Sequence, residues 1–88
     1  MQQLDARPRL RVHVRLFASL REAAGTGRLT CELDDGARVS DLLAQLADRI
    51  PALVTIRGLV AVNQSYVDPD ALLHDGDEVA LIPPVSGG

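Results

Sequence analysis

The chain closes on "LIPPVSGG", Leu81 to Gly88, and this ending holds its strongest candidate for chemistry. Pro83 and Pro84 cannot donate to a sheet ladder and keep the backbone extended. Val85, Ser86, Gly87 and Gly88 reach about 13 Å beyond them at full extension. Gly87 and Gly88 carry no side chains, so a narrow channel in another protein could admit them. The reactive group there is the terminal carboxylate, and no Cβ hinders it. A carboxylate is a poor electrophile until one oxygen becomes a good leaving group. This end therefore suits activation by a nucleotide: adenylation, then attack by a sulfur nucleophile, leaving an acyl-sulfur species on Gly88.

No other set of residues competes with the tail. Cys31 falls on an inward position of a strand, which reads as a small core residue and not as a nucleophile. His13 belongs to the wet face of the first strand and His74 to a turn, so neither has metal-ligand spacing with the cysteine. "DDG" (Asp34 to Gly36) and "DGD" (Asp75 to Asp77) lack the rest of a calcium loop and read as turns. No glycine-rich loop joins a strand to a helix in the way that cradles phosphate. A metal site is not expected, and a stand-alone enzyme lacks its acid, base and nucleophile.

The elements that would position the tail are legible in the hydropathy pattern. "RLRVHVRLF" sets Leu10, Val12, Val14 and Leu16 against Arg9, Arg11, His13 and Arg15, a period of two with one buried and one wet face. "ASLREAAG" reads as a short helix closed by Gly25. "RLTCEL" resumes the alternation with Leu29, Cys31 and Leu33 inward. "RVSDLLAQLADRIP" is the main helix: Ser40 is its expected N-cap, and Pro51 ends it. Val39, Leu42, Leu43, Leu46, Ala47 and Ile50 share one face of it. Leu59 to Asn63 form the next strand, and a turn through Gln64 and Ser65 leads into Tyr66 and Val67. A loop with one tight helical turn at Ala71 to Leu73 precedes the last strand, "EVALI", which Pro83 stops.

That order predicts an α+β fold of the ubiquitin-like β-grasp type: a mixed sheet of four to five strands packed on one main helix, with a short extra helix. The first and last strands would lie parallel at the sheet centre, so the C-terminus would leave from a rigid edge. The expected organisation is an N-terminal extension over residues 1–8, a β-grasp domain over 9–84 and an extended tail over 85–88.

Composition narrows the class further. Apolar residues make up 47% of the chain, enough for a single small core, yet only Phe17 and Tyr66 are aromatic. Residues 1–28 sum to +4 and residues 29–88 to −7, for a net charge of −3. Without a basic cluster or exposed aromatic row, nucleic acid is not an expected partner. No apolar run reaches the length of a membrane span, so no membrane partner is expected either. "MQQLDARPRL" lacks the apolar core of a signal peptide, and the single cysteine suits a reducing compartment, so a cytoplasmic location is expected. All nine basic side chains are arginine.

Three stretches resemble the small subunit of molybdopterin synthase, in the MoaD/ThiS family of sulfur carriers. They are "LFASLREAAG" (Leu16 to Gly25), "AVNQSYV" (Ala61 to Val67) and "DGDEVALIPPVSGG" (Asp75 to Gly88). The resemblance implies that an enzyme related to ubiquitin-activating enzymes adenylates Gly88 with ATP and magnesium. A sulfur donor then makes the thiocarboxylate. The tail, Pro83 to Gly88, inserts into the large synthase subunit and donates sulfur to a pyranopterin precursor. Catalytic side chains would belong to that subunit, and no cofactor would stay bound here. Phe17, Arg21, Tyr66 and Ile82 match positions where the family contacts its partners. The chain departs from the family at Ile82, where an aromatic often precedes the two prolines, and in its first eight residues.

Two alternatives remain open on the residues. Relatives that carry sulfur for thiamin, cysteine or thiolated RNA share the fold and the Gly-Gly end. A ubiquitin-like modifier joined to lysines of other proteins would share them too, although this chain, lacking lysine, could not build lysine-linked chains on itself.

Overall fold

Strict alternation along the first strand fixes which side of the sheet is dry. The computed structural model describes residues 9–51 and 59–83. The extension over 1–8 and the tail from Pro84 to Gly88 lie outside the described residues. Strand β1 (Arg9–Leu16) buries every second residue, as its sequence predicts. Helix α1 (Ala18–Ala24) follows and ends at Gly25, whose φ of 77° is left-handed. Strand β2 (Arg28–Asp34) returns antiparallel to β1, with Val12 opposite Cys31 and Leu10 opposite Leu33.

Helix α2 (Val39–Arg49) covers the apolar face. Val39, Leu42 and Leu46 are fully buried, and Ile50 lies just past the helix end at 3% exposure. Leu43 and Ala47 are half-buried along the same stripe. Strands β3 (Leu59–Val62), β4 (Ser65–Tyr66) and β5 (Glu78–Ile82) complete the sheet. The strand order is β2-β1-β5-β3-β4, with β1 and β5 parallel at the centre and in register from His13–Glu78 to Leu16–Leu81. This is the mixed five-stranded α+β arrangement expected of a β-grasp.

Three local expectations need correction. Ser40 is not the N-cap of α2; Arg38 is, and its N–H donates to the Asp41 carboxylate at 2.8 Å. The helix can start earlier because a distant segment takes its free donors. Val39 N–H bonds the Ala71 carbonyl at 2.9 Å, and Ser40 N–H bonds the Pro69 carbonyl at 3.0 Å. The same bonds explain the second miss. Residues 71–73 are not helical, since their backbone is committed to the chain before α2, including Leu73 N–H to the Ala37 carbonyl and a bridge between Arg38 and Leu72. Third, the β3–β4 turn falls on Asn63 and Gln64, one residue earlier than expected. Both take positive φ, 50° and 74°, as a two-residue hairpin requires.

Candidate functional site

The face of the sheet opposite α2 changes character across its width. On β1 and β2 it carries Arg9, Arg11, His13, Arg15, Arg28 and Glu32, all exposed. Toward β5, β3 and β4 it becomes apolar. Ile82 pairs with Leu59, Ala80 with Ala61, and Ala61 with Tyr66, so these side chains share the open face. Ala61 is buried, yet it stands outside the core cluster beneath α2. Phe17 continues the face one residue past β1, where the parallel register places it beside Ile82. The Arg15 guanidinium lies 5.9 Å from the centre of the Phe17 ring.

Three of the four residues singled out from the sequence therefore lie on one surface. Phe17 is 41% exposed, Tyr66 69% and Leu59 55%, whereas Ile82 is half-buried between them. Leu59 is the member that sequence reading missed. Its signal was available, because alternation along "LVAV" places it with Ala61, away from the core. Arg21 is not part of this group. It leans over Gly27, where an added Cβ would meet its Nε at 3.4 Å, on the far side of β1 from Ile82.

The turns that present the two aromatics hold strained backbone. Ala18, next to Phe17, has a φ of 50°, and Asn63 and Gln64 precede the strand that carries Tyr66. Left-handed backbone costs an ordinary L-residue roughly 1–2 kcal/mol, and asparagine tolerates it best. Asn63 is held in place by a buried carboxylate. Its Nδ2 donates to Asp77 at 2.9 Å, its Oδ1 accepts the Glu78 N–H at 3.0 Å, and its own N–H bonds the Glu78 carbonyl at 2.8 Å. Asp77, 8% exposed, also accepts the His74 N–H at 2.8 Å. This polar knot joins the hairpin bearing Tyr66 to the start of β5. Replacing Asp77 with alanine strands the Asn63 amide and the His74 N–H. The expected loss is about 2 kcal/mol, or roughly 10 °C in Tm, readable by thermal unfolding. An unchanged Tm would show that the knot carries no stability.

Pro83, grouped with the tail on sequence grounds, is buried in the domain where β5 ends. Pro84, Val85, Ser86, Gly87 and Gly88 lie outside the described residues. Strand β5 is bonded on both sides, to β1 and β3, up to the point where the tail begins.

Cys31 sits in the core at 2% exposure, and burial pushes its thiol pKa up. It is expected to react with a soluble disulfide reagent at neutral pH at least ~10-fold more slowly in the native state than in denaturant. Equal rates would place the thiol at the surface. Among the described residues no three His, Cys, Asp or Glu side chains come together to hold a metal ion, and no helix is long and apolar enough to cross a membrane.

A sheet with parallel central strands, one covering helix and an apolar open face beside its last strand defines the ubiquitin-like β-grasp class. Residues 14–88 match the ThiS family, and the chain belongs to it. It is 48% identical over 83 residues to a molybdopterin synthase sulfur carrier subunit of Chlamydomonas reinhardtii, covering 90% of this chain and all of that one. Among solved structures it is similar to a putative molybdopterin converting factor subunit 1 from Pyrococcus furiosus, at 36% identity and a TM-score of 0.79, covering 86% of this chain and 99% of that one. It is also similar to SAMP1 from Haloferax volcanii, at 34% identity and a TM-score of 0.79, covering 89% and 99%.

Proposed function

We propose that this chain is the cytoplasmic sulfur carrier subunit of a molybdopterin synthase, with Gly88 as the sulfur-bearing residue. An activating partner of the ubiquitin-activating type uses ATP and magnesium. The Gly88 carboxylate attacks the α-phosphorus and pyrophosphate leaves. A sulfur donor then displaces AMP, and the chain carries a thiocarboxylate. The large subunit holds the catalytic side chains, admits the tail from Pro83 to Gly88, and directs sulfur to a pyranopterin precursor.

The observation that carries this reading is the junction at the end of β5. A central strand, clamped on both sides, stops beside Phe17, Ile82 and Leu59 and hands the chain to Pro83 and the Gly-Gly sequence. A partner docked on the apolar patch would have the tail delivered beside it. Phe17 and Tyr66 suit such a contact because aromatic side chains are favoured anchors at interfaces. The identity to molybdopterin synthase sulfur carrier subunits supports this branch over other sulfur carriers.

The test is the intact mass of protein purified from its host, with sequencing of the C-terminal peptide. An increment for oxygen replaced by sulfur, localised to Gly88 and not to Met1 or Cys31, is the expected result. A plain carboxylate after incubation with a competent activating enzyme, ATP and a sulfur source would refute the carrier reading.

The likeness to SAMP1, a small archaeal modifier protein, favours a second reading: a tag joined through Gly88 to lysines of other proteins. With no lysine of its own, the chain would add to a target as a single unit at each site. Larger adducts bearing a Gly-Gly remnant on target lysines would establish it.

A further inference from the structure

Strand β2 forms one edge of the sheet, and its outward backbone groups can be counted. Leu16 N–H bonds the Gly27 carbonyl at 2.9 Å, which sets the alternation along the β1–β2 ladder. Leu29, Cys31 and Leu33 therefore bond β1, while Arg28, Thr30, Glu32 and Asp34 turn their N–H and C=O groups away from the sheet. Arg28 at one end of this row is closed from within, and so is the carbonyl of Asp34 at the other. The Thr26 hydroxyl accepts the Arg28 N–H at 3.2 Å and donates to the Arg28 carbonyl at 3.1 Å. The Asp34 carbonyl accepts the Ala37 N–H at 3.1 Å. Between these closures Thr30 and Glu32 offer two donors and two acceptors, with no partner among the described residues.

We propose that this window is an interface with a second copy of the chain, formed by antiparallel β2–β2 pairing about a two-fold axis at Cys31. The register follows from the groups available. Pairing must set outward residues opposite outward residues, and with both Thr30 and Glu32 opposed within Arg28–Asp34 this leaves axes at residue 30, 31 or 32. An axis at residue 30 opposes Glu32 to Arg28, whose groups Thr26 already occupies. An axis at residue 32 sets Glu32 against Glu32. An axis at Cys31 sets Thr30 opposite Glu32 twice and closes four ladder hydrogen bonds, using every free donor and acceptor of those two residues.

Charge agrees with the same register. Arg28 of each copy then faces Asp34 of the other on the open face. Within one chain Arg28 lies opposite Arg15, a like-charge pair, and Asp34 lies opposite Arg9. Pairing turns this into a row of Arg15, Arg28, Asp34 and Arg9 across the two copies. On the helix side Leu29 faces Leu33, and Cys31 faces Cys31. The apolar patch and the end of β5 lie toward the opposite half of the sheet, so each copy keeps them free. Edge pairing of this length buries less than the roughly 1,600 Å² of a standard interface, so the dimer is weak and concentration-dependent.

Sedimentation equilibrium of the full chain, from micromolar to millimolar, tests this. The weight-average mass is expected to climb from monomer toward dimer. Thr30→Pro removes an outward N–H that the β1 ladder does not use, and it is expected to abolish the climb while native circular dichroism persists. Arg28→Glu alone and Asp34→Arg alone should each weaken association roughly 3- to 10-fold, and the two together should restore it. A monomer at every concentration overturns the proposal. So does wild-type association by natively folded Thr30→Pro, or an association constant that neither charge reversal changes.

Discussion

A chain lacking Gly88 is expected to fold as the full-length protein does and to carry no sulfur. The two halves of that expectation rest on different parts of the molecule. Folding depends on the core beneath α2, whose buried residues among those described run from Leu10 to Leu81, so Gly88 is not one of them. On the proposed function, loading requires an unhindered carboxylate that reaches as far beyond Pro83 as Gly88 does. Deletion leaves a carboxylate on Gly87, one residue short, so the activating partner meets it about 3.5 Å away from where the full tail would place it. Misplacement of 1 Å can cost about 100-fold in rate, and a shift of a whole residue should reduce sulfur incorporation to background. Intact mass after incubation with activating enzyme, ATP and a sulfur source reads loading, and thermal unfolding reads the fold. Normal sulfur incorporation on the shortened chain would remove Gly88 from its proposed role.

Replacing Ile82 with glutamate is expected to weaken binding to the large subunit by on the order of 100-fold, about 3 kcal/mol. Ile82 stands between Phe17 and Leu59, one residue before Pro83, so on the proposed function a partner that receives the tail covers it. A carboxylate there would be desolvated against apolar neighbours without a counter-charge. Arg21→Ala, by contrast, should change affinity by less than about 3-fold, since its side chain lies over Gly27 on the other side of β1. Titration calorimetry of each variant against the large subunit separates the two. Equal effects at Ile82 and Arg21 would mean that the partner does not dock on the apolar half of the open face.

The two variants also separate delivery of the tail from its chemistry. Loss of Gly88 should abolish loading while docking through the patch persists. Loss of the patch should leave a carrier whose carboxylate is intact but which reaches its partner poorly.

The sequence by itself determined the β-grasp, because its evidence is periodic. Alternation along "RLRVHVRL" and the helical stripe from Val39 to Ile50 each depend on neighbours within one element, and burial follows both closely. The Gly-Gly ending is a matter of residue type and order, and it lies outside the described residues. What escaped were positions set by bonds between segments far apart in the chain. The N-cap of α2 is Arg38 and not Ser40 because carbonyls of Pro69 and Ala71 satisfy the first free donors of the helix. The turn at Ala71 to Leu73 failed to become helical for the same reason. The Asp77–Asn63 knot links residues that no local pattern connects. The addition of Leu59 to Phe17, Tyr66 and Ile82 follows from strand order, and the separation of Arg21 from them follows from its side chain lying over Gly27. Periodicity tells each strand which face is dry; only the assembled sheet decides which wet-face residues become neighbours.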